Sequence, residues 1–110
     1  MQGEIPKSDW KHFKKLHELA LERLCEQTLN AVCKISKDAT RTHHERYQAV
    51  FGTIQENDKK IESGFDMLSR SRMIDHLAVM KSLDLIEETE IAKFTQETRD
   101  RLDLYLSIDA

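Results

Sequence analysis

From Tyr47 onward the apolar residues of this chain recur as Tyr47, Phe51, Ile54, Ile61, Phe65 and Leu68, a spacing that places them on one stripe of a helix. Past residue 72 the stripe widens into a cuff. Met73, Ile74, Leu77, Ala78, Val79 and Met80 cover nearly the whole circumference. A helix that is apolar all round must have neighbours on every side, and a single antiparallel partner cannot supply them. The cuff therefore constrains both the architecture and the way the chain associates.

A first helix is expected from about residue 8 to 37, capped by Ser8 or Asp9. Its stripe runs through Trp10, Phe13, His17, Ala20 or Leu21, Leu24, Thr28, Ala31 or Val32, and Ile35. Leu16, Leu19, Leu29 and Cys33 lie off that stripe, which implies cover on more than one face. Thr42-His43-His44-Glu45 fits a capping box and opens a second helix, expected to reach about Ser82. The connector between the two is short, so they form an antiparallel hairpin. Simple register from the loop sets Val32 against Tyr47, Thr28 against Phe51, and Phe13 beside Phe65. The second helix then outruns the first by roughly 16 Å at the usual rise, and the cuff falls on this overhang. A short third helix begins near Glu87, carrying Ile91 and Phe94. Thr95 can cap a fourth, with Leu102, Tyr105 and Leu106 inward. The expected fold is thus all-α and bundle-like: a long hairpin (8–37 and 43–82) closed by two short C-terminal helices. Residues 1–7 read as a loose tail and 8–110 as one domain.

The cover for Met73, Ile74, Leu77 and Met80 comes either from the C-terminal helices or from another protein, a second copy included. In the latter case Arg72 and His76 stand at the edge as polar selectors. Four polar residues fall on the expected core stripes: His17 on the first helix, and Asp58, Arg72 and His76 on the second. Buried polar groups are costly unless paired, so a His17–Asp58 or His17–Glu62 hydrogen bond is expected, fixing register between the helices.

Composition narrows the function classes. Among 110 residues there are three Gly and one Pro, 34% are charged, and the net charge is −3, a balance that disfavours a general polyanion binder. Residues 83–110 hold three Lys/Arg against eight Asp/Glu. The basic run Lys7, Lys11, Lys14 and Lys15, interleaved with Trp10 and Phe13, is the candidate anion contact and offers nucleic-acid binding as the alternative function. The acidic C-terminal quarter is the competing partner for it. Carboxylate-bridged metal sites in bundles need Glu-x-x-His on two helices, and the chain has none; no Cys-x-x-Cys or His-Glu-x-x-His motif is present either. Cys25 and Cys33, eight apart on one helix, sit on the order of 12 Å from each other along the axis, too far to bridge. They suit a reducing cytoplasm. No apolar run approaches the ~18 residues of a membrane span. No glycine-rich phosphate loop or nucleophile turn surrounds any reactive side chain. The sequence therefore indicates a non-enzymatic, cofactor-free, cytoplasmic interaction or adaptor domain that self-associates or binds another protein, with no substrate pocket identified.

Overall fold

A computed structural model describes residues 4–108, and these contain helices and turns but no strand. The helices are α1 (Lys7–Ser36), α2 (His43–Gly64), α3 (Met73–Ser82), α4 (Glu88–Ile91) and α5 (Gln96–Ile108), with a 3-10 turn at Arg70–Arg72 before α3.

Helix α1 starts one residue earlier than expected. Pro6 is its cap and accepts the first helical bond from the Trp10 amide at 3.0 Å. Neither Ser8 nor Asp9 caps it, because the Asp9 carboxylate is taken by Thr95 and Thr98 across the molecule. The segment expected to be a loose tail is partly docked. Ile5 is buried and its carbonyl accepts from the Arg70 guanidinium; residues 1–3 lie outside the described residues. After Lys37 the chain reverses through Asp38, whose carboxylate accepts from the Thr40 amide and hydroxyl. The capping box at the start of α2 is present as expected. Thr42 Oγ1 accepts from the Glu45 amide at 3.1 Å, and the Thr42 amide donates to Glu45 Oε1 at 2.8 Å.

The expected second helix is two helices. Helix α2 ends at Gly64, where Phe65 and Asp66 both donate to the Ile61 carbonyl. The chain then turns through Met67 at φ 56° and returns as α3. Two contacts hold this fold-back. A Cβ at Gly64 would stand 2.8 Å from Val79 Cγ1, so glycine lets the Val79 side chain pack directly on the α2 backbone. His76 Nδ1 lies 3.0 Å from the Gly64 carbonyl, one of the terminal carbonyls a helix leaves without an internal partner. The overhang expected for the cuff therefore does not form: the cuff is a separate helix folded back against the end of α2.

Helices α1 and α2 are antiparallel. Arg46 Nη1 donates to the Ser36 carbonyl at 2.7 Å, Thr28 Oγ1 donates to Asn57 Oδ1 at 2.6 Å, and the His17 and Phe65 rings meet at 4.9 Å. The register is several residues away from the one read off the loop, and α2 is rotated about its axis. Small and polar side chains (Thr28, Ala31, Thr53, Asn57) fill the seam, whereas Tyr47, Phe51 and Ile54 point away from α1.

Burial is confined to one end. The apolar core comprises Ile5, Phe13, Leu16, Ala20 and Leu24, then Phe65, the α3 cuff, Leu85, Ile86, Ile91, Phe94 and Leu102. On α1 no buried residue lies beyond Leu24, and on α2 the only one is Gly64. The molecule thus consists of a head, made by the first half of α1 with α3, α4 and α5, and an arm made by the rest of α1 paired with α2. The extents are 58 × 24 × 23 Å and the radius of gyration is 17.0 Å, against about 13 Å for a compact chain of this length. No helix among the described residues is long and apolar enough to cross a membrane.

Candidate interaction surface

The cuff is not on the surface. Met73, Leu77 and Met80 are fully buried and Ile74 nearly so, in one cluster with Phe13, Leu16 and Leu102. Cover comes from the chain's own α1, α2 and α5, the intramolecular alternative of the two the sequence allowed. Of the selectors expected beside it, Arg72 is exposed and pairs with Asp75 at 3.6 Å, one turn along. His76 is 1% exposed, bound to Gly64 and facing inward.

His17 and Asp58 do not meet. The register and rotation of α2 put Asp58 and Glu62 on exposed surface and bring Phe65 and His76 to His17 instead. The His17 ring lies 4.9 Å from Phe65, 5.6 Å from Phe13 and 6.5 Å from His76. Burial, and then the neighbouring His76, push the His17 imidazole below its ordinary value. The Nε2 atoms of both histidines are buried without a hydrogen-bond partner.

Lys7, Lys11, Lys14 and Lys15 are all exposed. Lys14 Nζ lies 5.8 Å from the Trp10 ring centre, a weak cation–π contact. The acidic C-terminal segment does reach α1, but farther along. Glu90 grips Arg23 through two bonds of 2.7 and 2.9 Å, so its carboxyl is held below the usual range and the guanidinium is raised.

Asp9 is the polar centre the sequence reading missed. It is 2% exposed and accepts from the Thr95 amide at 3.0 Å, Thr95 Oγ1 at 2.7 Å and Thr98 Oγ1 at 2.6 Å. Burial pushes its carboxyl up, but the bonds from Thr95 and Thr98 outweigh that and leave it below its ordinary value. These bonds clamp the start of α5 to the start of α1. Their only sequence signal was an Asp in the first turn and a Thr-x-x-Thr near the C-terminus. Among the described residues no group of three or more His, Cys, Asp or Glu is placed to hold a metal.

Exposed large apolar side chains occur at Leu19, in the turn at Met67 and Leu68, on α5 at Leu104, Tyr105 and Ile108, and as a group on the arm. Leu29 is 67% exposed, Tyr47 71%, Phe51 55% and Ile54 44%. Helical geometry puts these on one side. On α2 the side facing α1 is marked by Arg46, Thr53 and Asn57. At about 100° per residue, Tyr47, Phe51 and Ile54 lie roughly a quarter turn round from it. On α1 the side facing α2 is Thr28, Ala31 and Ile35, and Cys25, Leu29 and Val32 lie a quarter turn round in the same sense. Equal rotations about antiparallel axes carry both stripes to the same face of the pair. The cavities agree. Ser36, His43, Arg46, Tyr47 and Val50 line a shallow depression of about 320 Å³ on this side. Gln27, Glu56 and Lys60 rim the polar groove on the other. The arm is therefore two-faced, with one apolar side and one polar side. No protein-family model, curated protein or solved structure matches the chain.

Proposed function

We propose that this protein is a non-enzymatic helical interaction module working in the cytoplasm, in which the head is a self-contained anchor and the arm's apolar face is the docking surface for another protein chain. One observation carries the reading: Leu29, Tyr47, Phe51 and Ile54 share a face of a two-helix arm that contains almost no buried side chain of its own. Monomeric proteins rarely leave such contiguous apolar patches uncovered, and most helical stability in proteins comes from packing of an amphipathic face. Full burial of a large apolar side chain contributes roughly 1.5–3 kcal/mol. These four are 44–71% exposed, so completing their burial contributes about 4–7 kcal/mol, comparable to the lower part of the ~4–15 kcal/mol cost of association. The complex expected is specific but of moderate affinity. Free Cys25 and Cys33 on this part of α1 are compatible with a reducing compartment.

The test is photo-crosslinking in cells from benzoylphenylalanine placed at Tyr47. A protein adduct that disappears when Phe51→Glu is added supports docking through this face. Absence of any protein adduct overturns it. Nucleic-acid contact through Lys7, Lys11, Lys14 and Lys15 is the second reading, favoured by the exposure of all four. It requires an affinity that falls steeply with salt, as counterion release dictates, and that Phe51→Glu leaves unchanged.

A further inference from the structure

The charge distribution along the arm identifies what its apolar face is built to meet. Leaving out side chains on the polar side, the tip carries Lys37, Arg41 and Arg46 against Asp38, a formal +2. The base, next to the head, carries Glu26, Asp58 and Glu62 against Lys59, a formal −2. An arm with an apolar face and opposite charge at its two ends is complementary to itself turned end for end. A parallel pairing would set tip against tip and base against base, like charge on like.

We infer that two copies of this chain pair arm to arm in antiparallel fashion about a twofold axis, forming a four-helix bundle with a head at each end. This rests on the docking role proposed for the arm and names its partner. The midpoint of α2 lies between Phe51 and Ile54, so an axis there sets Phe51 of one copy beside Ile54 of the other. The same register brings Tyr47 opposite Asp58, and His43 opposite Glu62. Asp58 is an otherwise unaccountable acid in line with the apolar stripe; a tyrosine hydroxyl facing it supplies a donor. On α1 the level of the axis falls at Leu29 and Val32, which places them at the centre of the interface. Area is adequate. An arm about 30 Å long and two helices, or ~20 Å, wide covers on the order of 600 Å² per copy, and the total of about 1,200 Å² is at the lower bound for a specific protein interface. A twofold, isologous contact is also the commonest form of self-association.

The experiment is light scattering on the full chain and on two charge-inverted variants. Lys37→Glu with Arg41→Glu turns the tip from +2 to −2; Asp58→Lys with Glu62→Lys turns the base from −2 to +2. The unaltered chain is expected to be a dimer. Each variant alone has an arm of a single sign at both ends and should dimerise at least tenfold more weakly. An equimolar mixture should form the heterodimer with affinity recovered. All these substitutions lie outside the head's core, and circular dichroism of each variant confirms retained helix. Two results overturn the inference: a chain that stays monomeric up to about 1 mM, the weakest affinity of interest here, or variants that dimerise alone as well as the original does. Combined with crosslinking from Tyr47, the outcomes separate. A monomer whose Tyr47 crosslinks to a different protein overturns self-pairing and retains the docking role, whereas a monomer with no adduct overturns both.

Discussion

Replacing Asp9 with alanine tests whether the head is an autonomous anchor held by a specific clamp. Asp9 joins the first turn of α1 to the start of α5 through three bonds of 2.6–3.0 Å, and it is almost completely buried. Two effects oppose each other on truncation. The protein no longer bears the desolvation of a carboxylate, which is favourable. It loses hydrogen bonds to a charged acceptor, each worth about 1.5–3 kcal/mol, and leaves the Thr95 amide and two hydroxyls to find other partners. With bonds this short to three donors, the second effect is the larger. A net loss of about 3 kcal/mol is expected, or roughly 12 °C in melting temperature at about 4 °C per kcal/mol for a chain of this size. Asp9→Asn keeps one acceptor oxygen and should lose about half as much. Thermal and urea unfolding followed by circular dichroism measure both. The sign with pH is fixed too. The folded carboxyl lies below its unfolded value of about 3.9. Its contribution is complete above that value and disappears as pH falls through the lower, folded one. The gap between the original chain and Asp9→Ala should therefore close under strongly acidic conditions. A loss below about 0.5 kcal/mol at neutral pH, within the ordinary range of surface substitutions, refutes the reasoning.

Further expectations follow from other contacts. Gly64→Ala forces a Cβ against Val79 Cγ1 at 2.8 Å and should cost about 1–3 kcal/mol; adding Val79→Ala should recover part of that loss in urea unfolding, and failure to do so removes the steric account of the fold-back. Thr42→Ala breaks the capping box at the arm's tip and should lower arm helicity with a cost of about 1 kcal/mol. Burial holds the His17 imidazole below its usual 6.5. The unfolded chain therefore binds a proton that the folded one resists, and stability should decline as pH falls below about 6.5 toward the folded value. His17→Phe should flatten that slope in pH-dependent unfolding, and an unchanged slope would assign it to other groups.

The features that were legible in the sequence are the ones set by neighbours in the chain. The Thr42–Glu45 box depends on residues three apart, and it formed as expected. Ile91 and Phe94, placed near the third helix, and Leu102, expected inward on the last, are buried, whereas Tyr105, also expected inward, is exposed. The errors all involve a distant partner. Ile61, Phe65 and Leu68 continue the helical rhythm past Gly64, so periodicity gave no reason to stop there; the break is held by Val79 and His76, which reach Gly64 only once α3 has folded back. Asp9 is a good local cap that is instead bound by residues 86 and 89 positions away. Tyr47, Phe51 and Ile54 were assigned to the hairpin seam because an apolar stripe marks burial without saying against what. The seam is lined by Thr28, Ala31 and Thr53, whose small side chains fit between the two helices, and the larger residues are left exposed. The candidate site was thus present in the sequence as a pattern but attached to the wrong partner, and the cuff that first suggested association proved to be core.

The division into a finished head and an unfinished arm is tested most directly by hydrogen exchange of the backbone amides at a series of protein concentrations. The account expects amides between Tyr47 and Asp58 to exchange more slowly as concentration rises, while those of Leu16–Leu24 and α3 stay equally protected throughout. Arm amides as strongly protected as the head at every dilution would contradict it, because the arm would then be complete without a partner.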